Sequence, residues 1–344
     1  MSDRRLLILA EGFSTDPHYG KTMRGVLRYR RDDVVAILDS ARAGETHEGL
    51  PVVGTVDEAL CFNPTTALVG VATQGGRFPP EWRELLRACI RQGLSIENGL
   101  HEFLTNDAEI SELAKRHGVA LRDLRRAPDG LDCPTGENLE VPAQIVLTVG
   151  SDCAIGKMTV SLELDRAARE RGIASEFVPT GQTGIAIAGW GISVDAVVSD
   201  FIAGATERLV VEGHKRGGEL LFVEGQGSIV HPAYSGVTLG LIHGSAPHMF
   251  VLCHQAGATE IEGYPGHPLP SLAELVALHE AIALPRRKAR VTCLAINTRG
   301  LADDEARSAV AEAEAETGLP ADDPVRFGSE RLLDAVLDSL LPVE

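Results

Sequence analysis

Between residues 144 and 170 the chain reads QIVLTVGSDCAIGKMTVSLELDRAARE: an apolar strand pattern, a loop bounded by Gly150 and Gly156, then Lys157 and a helical repeat. A strand that passes through such a loop into a helix aims successive backbone N–H groups and the helix N-terminus at one point, and Lys157 adds a positive charge there. This is the context in which a P-loop cradles phosphate. It points to a parallel sheet with helices on its faces, whose ligands lie at the carboxyl ends of the strands.

The loop, Gly150, Ser151, Asp152, Cys153, Ala154, Ile155, Gly156, Lys157, Met158 and Thr159, departs from the usual G-x-x-x-x-G-K-[ST] at two places. Ser151 takes the first glycine's position, and Met158 stands where the hydroxyl belongs. A helix advances about 100° per residue, so moving the hydroxyl to Thr159 swings it away from the place where a P-loop Ser or Thr meets magnesium. Phosphate cradling survives this change, but Mg-ATP hydrolysis is not favoured. Cys153, beside a helix N-terminus, reads as a small packing residue in preference to an activated nucleophile.

The rest of the chain repeats the same alternation. Leu6 to Leu9, Val34 to Leu38 and Ala67 to Val71 are strand candidates, with helices expected from about Lys21 and after Pro79-Pro80. The first strand is followed by AEGFSTD, without G-x-G-x-x-G, so dinucleotide binding is not supported. Asp39, at the end of the second strand, reads as a loop or capping acid before a ribose ligand. RAPDGLDCPTGENLEVP, from Arg126 to Pro142, is a linker or crossing segment; beyond it ELLFVEGQG, HMFVLCH and VTCLAINT supply further buried strands. The expected fold is α/β: an N-terminal Rossmann-like domain over 1–137, then a P-loop NTPase-like three-layer α/β domain over 138–344.

Composition narrows the function. The 344 residues carry 32 Lys+Arg against 49 Asp+Glu, a net charge of −17, which argues against a nucleic-acid footprint and leaves room only for a locally positive anion site. Six cysteines without a C-x-x-C pair indicate neither a disulfide framework nor a zinc module. There is no stretch of eighteen apolar residues and no signal-peptide core, so the expectation is a cytoplasmic protein with small-molecule partners and no membrane contact.

Candidate site residues cluster in the second half. Glu224-Gly-Gln226-Gly-Ser228 ends the run ELLFV, which places Glu224 at the same strand ends as the loop, as metal ligand, proton acceptor or loop-holding group. The glycine-rich run Pro179 to Asp200 offers Gln182, Thr183, Asp195 and Asp200, either around a ligand or at a tight crossing of backbones. Of the histidines His231, His243, His248, His254 and His267, none has zincin spacing, so no metal site is expected; His231 is the best candidate for a site role. Arg299, after VTCLAINT, suits a substrate carboxylate or is a surface residue. AEGFSTDPHYGKT, with Lys21 and Thr22, is a candidate for acceptor contacts.

VGSDCAIGK together with VEGQGS resembles the GTDxxVGK loop and VEGxGG strand end of dethiobiotin synthetase and related P-loop proteins. A fuller resemblance, through VGSDCAIGKMT, PTGQTG, DFIAGA, VEGQGSIVHPAYSGVTLGLIHGSAP and LCH, covers almost the whole chain and is to the D-glutamate N-acetyltransferase family. It implies acetyl transfer from acetyl-CoA, as co-substrate, to the amine of D-glutamate or a similar acidic amino acid. The loop from Gly150 to Thr159 would hold CoA phosphates, which need no magnesium. Glu224, Asp200 and His231 are then the candidate catalytic groups, since the ammonium must lose a proton before it attacks. Gln182, Thr183, Gln226, Tyr234 and Arg299 are the candidate substrate contacts. The alternative is an ATP-dependent ligase of the dethiobiotin-synthetase kind, with Mg-ATP in the loop and Glu224 and Asp152 on the metal. A third reading is a CoA- or nucleotide-sensing regulator. A homo-oligomer is the expected assembly.

Overall fold

The computed structural model describes residues 4–16 and 19–340. Pro17 and His18, within the candidate acceptor segment AEGFSTDPHYGKT, lie outside the described residues. The chain divides into two compact units, Met1–Arg126 with Gln182–Ser193, and Ala127–Gly181 with Val194–Glu344.

In the first unit, β1 (Leu6–Leu9), β2 (Val34–Leu38), β3 (Thr46–His47), β4 (Leu50–Val53), β5 (Thr66–Val69), β6 (Ser95–Asn98) and β7 (Leu121–Asp123) form one sheet of order β3-β4-β2-β1-β5-β6-β7. Pairing is parallel except between β3 and β4. β1 is buried along its whole length, as an unbroken Leu-Leu-Ile-Leu run requires of a strand covered on both faces. The helices are α1 (Lys21–Tyr29), α2 (Val56–Ala59), α3 (Trp82–Arg91) and α4 (Ala108–His117). α4 shows why these stretches begin and stop where they do: Asp107 accepts the Ile110 N–H at 3.0 Å, and Gly118 ends the helix at φ 66°. Asp39 accepts hydrogen bonds from the Gly12, Ser14 and Ala41 N–H groups and from Ser14 Oγ, so it holds the loop after β1 as a capping acid.

The second unit contains β8 (Gln144–Gly150), α5 (Lys157–Glu170) and β9 (Ser175–Val178). The next helix, α6 (Gln182–Ala188), falls in the first unit: Thr183 Oγ1 lies 3.1 Å from Thr22 Oγ1 in α1, and the Ala186 and Gly189 carbonyls accept from Arg4 and Arg122. The same two arginines pair with Glu97 of β6. A single cut at 137/138 does not describe this arrangement. The second unit resumes with α7 (Ile202–Lys215), β10 (Leu220–Val223), α8 (Ser235–Ser245), β11 (Met249–Gln255), α9 (Leu272–Ala281), β12 (Arg290–Asn297), α10 (Asp303–Thr317), β13 (Ala321–Asp322) and α11 (Glu330–Asp338).

Its sheet is parallel, of order β13-β12-β11-β8-β10-β9, with β8 between β11 and β10. α5 and α11 cover one face through Val160, Leu164, Leu332, Leu333 and Val336. The segment after Arg126 is bound to this unit, because Glu207 of α7 accepts the Thr135, Gly136 and Asn138 N–H groups. None of the described helices is long and apolar enough to cross a membrane.

β8 is held at its start by His248, whose N–H donates to the Ile145 carbonyl at 2.8 Å and whose Nδ1 accepts the Ile145 N–H at 3.0 Å. Only an unprotonated Nδ1 can do this, and burial, then the Arg287 charge, push the His248 pKa down to about 4. A histidine lowered on folding stabilises the native state in full above its unfolded pKa of about 6.5, and the contribution is lost as pH falls toward 4. Denaturant titrations at several pH values should therefore show a loss on acidification to about pH 5, of which His248 supplies about 1–2 kcal/mol after allowance for partial exposure. His248→Asn, which keeps an acceptor for Ile145, should flatten that slope in part. His254 and His279, whose pKa values burial also lowers, add to the same loss.

Candidate functional site

β8 ends at Gly150 and the chain turns through Ser151–Gly156 into α5, with Ala154 at φ 54° and Gly156 at φ 113°. Ser151 is buried and fixed at three points. Its N–H donates to the Cys253 carbonyl at 3.0 Å, its carbonyl accepts from Ser228 Oγ at 2.9 Å, and its Oγ lies 2.9 Å from His254 Nδ1. Burial lowers the pKa of His254, which favours the neutral imidazole. Asp152 accepts the Cys153 N–H at 2.6 Å on one carboxylate oxygen and the Glu262 N–H at 2.7 Å on the other. Asn297, at the end of β12, donates to the Ile155 carbonyl at 3.1 Å. The loop is thus tied to the ends of β10, β11 and β12.

Lys157, the first residue of α5, is buried, and its ammonium donates to the Asp152 carbonyl at 2.6 Å. Burial lowers its pKa. Two glycines make way for its stem: a Cβ at Gly150 would sit 3.3 Å from Lys157 Cδ, and one at Gly225 would sit 3.2 Å from it. Gly225 is constrained further, because its Cβ would fall 1.7 Å from the Thr148 carbonyl oxygen. Its N–H donates to Thr148 Oγ1, which in turn bonds Ser161 Oγ of α5. The Cys153 thiol is pushed up to about 11, mainly by burial, which suits a packing residue better than a nucleophile.

Glu224 is buried, and its Oε2 accepts the Thr180 N–H at 2.9 Å and the Gly181 N–H at 3.0 Å. Thr180 answers by donating its hydroxyl to the Glu224 carbonyl at 2.8 Å. Gln226 Nε2 donates to the Thr180 carbonyl at 2.6 Å, and its own carbonyl accepts from Thr238. His231 is buried between two tyrosines, stacked on Tyr234 at 4.7 Å and meeting Tyr264 edge-on at 5.0 Å between ring centroids. A ring nitrogen of His231, a carboxylate oxygen of Asp152 and Cys153 Sγ lie within 4.8 Å of one another.

The structure therefore brings together the loop, Glu224, Gln226, His231 and Tyr234. Asp200 stands apart, exposed just before α7 and in contact with Ser199 and Cys133. Arg299 is exposed beyond β12, its N–H donating to Asn297. Gln182 and Thr183 pack in the first unit against Gly99 and Thr22. Of the remaining histidines, His243 and His248 bond backbone groups and His267 meets the Tyr264 ring. Thr148, Thr180, Asn297 and the backbone of Glu262 were not singled out in the sequence. Thr148, polar in the middle of an apolar strand, is the one with a legible signal.

Two family models match this chain: "DUF1611_N Rossmann-like domain" over residues 39–127 and "DUF1611_C P-loop domain", each described as a domain of unknown function, the second over 132–333. A D-glutamate N-acetyltransferase from Tritonibacter scottomollicae is 35% identical, over 96% of this chain and 97% of its own. A second protein of that name, from Pseudoalteromonas sp, is 34% identical over 81% and 83%. A crystal structure of a DUF1611 family protein from Anabaena variabilis superposes with a TM-score of 0.90 at 39% identity, covering 97% of this chain and 99% of that one.

Gly225→Ala should misplace β10 or the Lys157 stem, lowering the thermal midpoint by several degrees and abolishing activity, because neither the Thr148 carbonyl nor Lys157 can yield enough room. Gly236→Ala, in α8 with open space at its Cβ, is the control and should be neutral or stabilising by up to about 1 kcal/mol.

Proposed function

The chain belongs to the DUF1611 family and is an acyltransferase like the D-glutamate N-acetyltransferases it resembles, and from that premise we propose that it transfers acetyl from acetyl-CoA to the amine of D-glutamate or a similar acidic amino acid. The observation that carries the choice of donor is the loop itself. It keeps the backbone amides, the helix N-terminus and Lys157 of a phosphate cradle, but presents Met158 where a magnesium-ligating hydroxyl would stand. CoA supplies phosphates that need holding and no phosphoryl group that needs transfer. The two acids that an ATP-dependent ligase would turn to magnesium are engaged elsewhere, Asp152 by the Cys153 and Glu262 amides and Glu224 by the Thr180 and Gly181 amides.

The reaction has a simple balance. The acceptor ammonium gives up one proton to a base, its nitrogen attacks the thioester carbonyl, the carbon–sulfur bond breaks as the nitrogen loses its second proton, and that proton neutralises the CoA thiolate, so that one proton is released overall. With phosphate at Gly156 and Lys157, the thioester lies at the far end of the pantetheine arm, more than about 10 Å away by comparison with three extended residues. We assign both Glu224 and His231 to the phosphate end: Glu224 positions the Thr180–Gly181 turn, and a ring nitrogen of His231 lies within 4.8 Å of Asp152 and Cys153. Asp200, the remaining candidate acid and exposed to solvent just before α7, is our proposal for the proton transfer.

With D-glutamate and acetyl-CoA in a chelator-containing buffer, purified protein should release free thiol and yield a product heavier by one acetyl group. Lys157→Ala should raise the KM for acetyl-CoA at least about tenfold, and Asp200→Asn should lower kcat by about 100-fold or more at saturating substrates. ADP formation from Mg-ATP with an amino-acid acceptor, without thiol release from acetyl-CoA, would move the protein to the ligase class.

A further inference from the structure

His231 carries more information than its position over the loop. Its Nδ1 accepts the Ala233 N–H at 3.1 Å. A ring nitrogen that accepts holds no proton, so the imidazole proton is on Nε2, and Nε2 has no hydrogen-bond partner among the described residues. The ring is 3% exposed and cannot turn freely between Tyr234 and Tyr264. The ring thus carries an N–H donor with no acceptor among the described residues, and one of its nitrogens lies within 4.8 Å of the Asp152 carboxylate and Cys153 Sγ.

Two other roles for this group conflict with that geometry. Asp152, Cys153 and His231 are the oxygen, sulfur and nitrogen donors of a zinc site, and their ligand atoms converge within 4.8 Å. A metal-bound histidine, however, donates its second ring N–H to a carbonyl or carboxylate, whereas His231 Nδ1 accepts an amide N–H. The same proton on Nε2 leaves no lone pair with which to take a proton from an incoming amine.

We propose that His231 completes the anion cradle of the loop, its neutral Nε2–H donating to a phosphate oxygen of the ligand held at Gly156 and Lys157. Lys157 supplies the charge there and His231 the direction. Both carboxylate oxygens of Asp152 accept peptide N–H groups, those of Cys153 and Glu262, which stabilises its charge beside the loop. The ligand class is a phosphate ester or anhydride; that it is CoA rests on the function proposed above.

The test compares wild type, His231→Leu and His231→Gln in chelator, by calorimetric titration with CoA and with pantetheine, which lacks the phosphates, and by steady-state acetyl transfer. Glutamine keeps an N–H donor at similar reach; leucine keeps the bulk alone. His231→Leu should weaken CoA binding by about ten- to a hundredfold and raise the KM for acetyl-CoA by a similar factor with kcat nearly unchanged, and glutamine should restore most of the loss. Pantetheine binding should be the same in all three proteins. Equal CoA affinity in wild type and both variants would overturn the proposal while leaving the acetyl-CoA reading standing. So would a fall in kcat at constant KM, or stoichiometric Co²⁺ binding with a sulfur-to-cobalt absorption band that Cys153→Ser removes. Wild type that neither binds CoA nor transfers acetyl would overturn both.

Discussion

The approach of Gly225 to the Thr148 carbonyl is the contact on which the P-loop unit depends. A Cβ there would fall 1.7 Å from the oxygen, so this sequence permits β10 to end against β8 only through glycine. The same residue clears the Lys157 stem, and its N–H is received by Thr148 Oγ1, which reaches Ser161 in α5. One residue earlier, Glu224 ties the turn after β9 to the end of β10. Strands β8, β9 and β10 and helix α5 are thereby locked at one corner, and the loop amides point where they do because that corner cannot relax.

A loop so placed imposes a division of labour on any long substrate. Groups in contact with Lys157 work on whatever the loop holds, and chemistry at the other end of a flexible arm must draw on residues elsewhere. Glu224, which the sequence presents as a natural proton acceptor, accepts the Thr180 and Gly181 amides, and His231 Nδ1 accepts the Ala233 amide. Remote binding of this kind favours a transferase, because affinity gathered at the phosphates can hold the thioester for attack.

Much of this is legible from the sequence, for reasons that differ by residue. Leu6 to Leu9 and Val34 to Leu38 are recovered to the residue because a doubly covered parallel strand is an unbroken apolar run. The loop is recovered because glycine and lysine spacing reports backbone geometry directly. The fate of Gln182 and Thr183 is not legible. The run GQTGIAIAG shows that backbones approach closely, but nothing local says that α6 packs on α1. The hydrogen-bond roles of Glu224 and His231 are equally hidden, since a carboxylate that accepts two amides and one that accepts a proton are the same letter. Asn297 and Thr180 act through bonds to distant backbone atoms, which leave no periodic mark.

The central claim is that the loop from Ser151 to Thr159 holds CoA phosphates without a metal. Its most direct test is a set of amide chemical-shift maps on isotope-labelled protein titrated with CoA in chelator and, separately, with ATP in magnesium. The account predicts that CoA alone shifts the Ala154, Ile155, Gly156, Lys157 and Met158 amides to saturation, and that magnesium changes nothing. Amides that stay still with CoA but respond to ATP only when magnesium is present would contradict it.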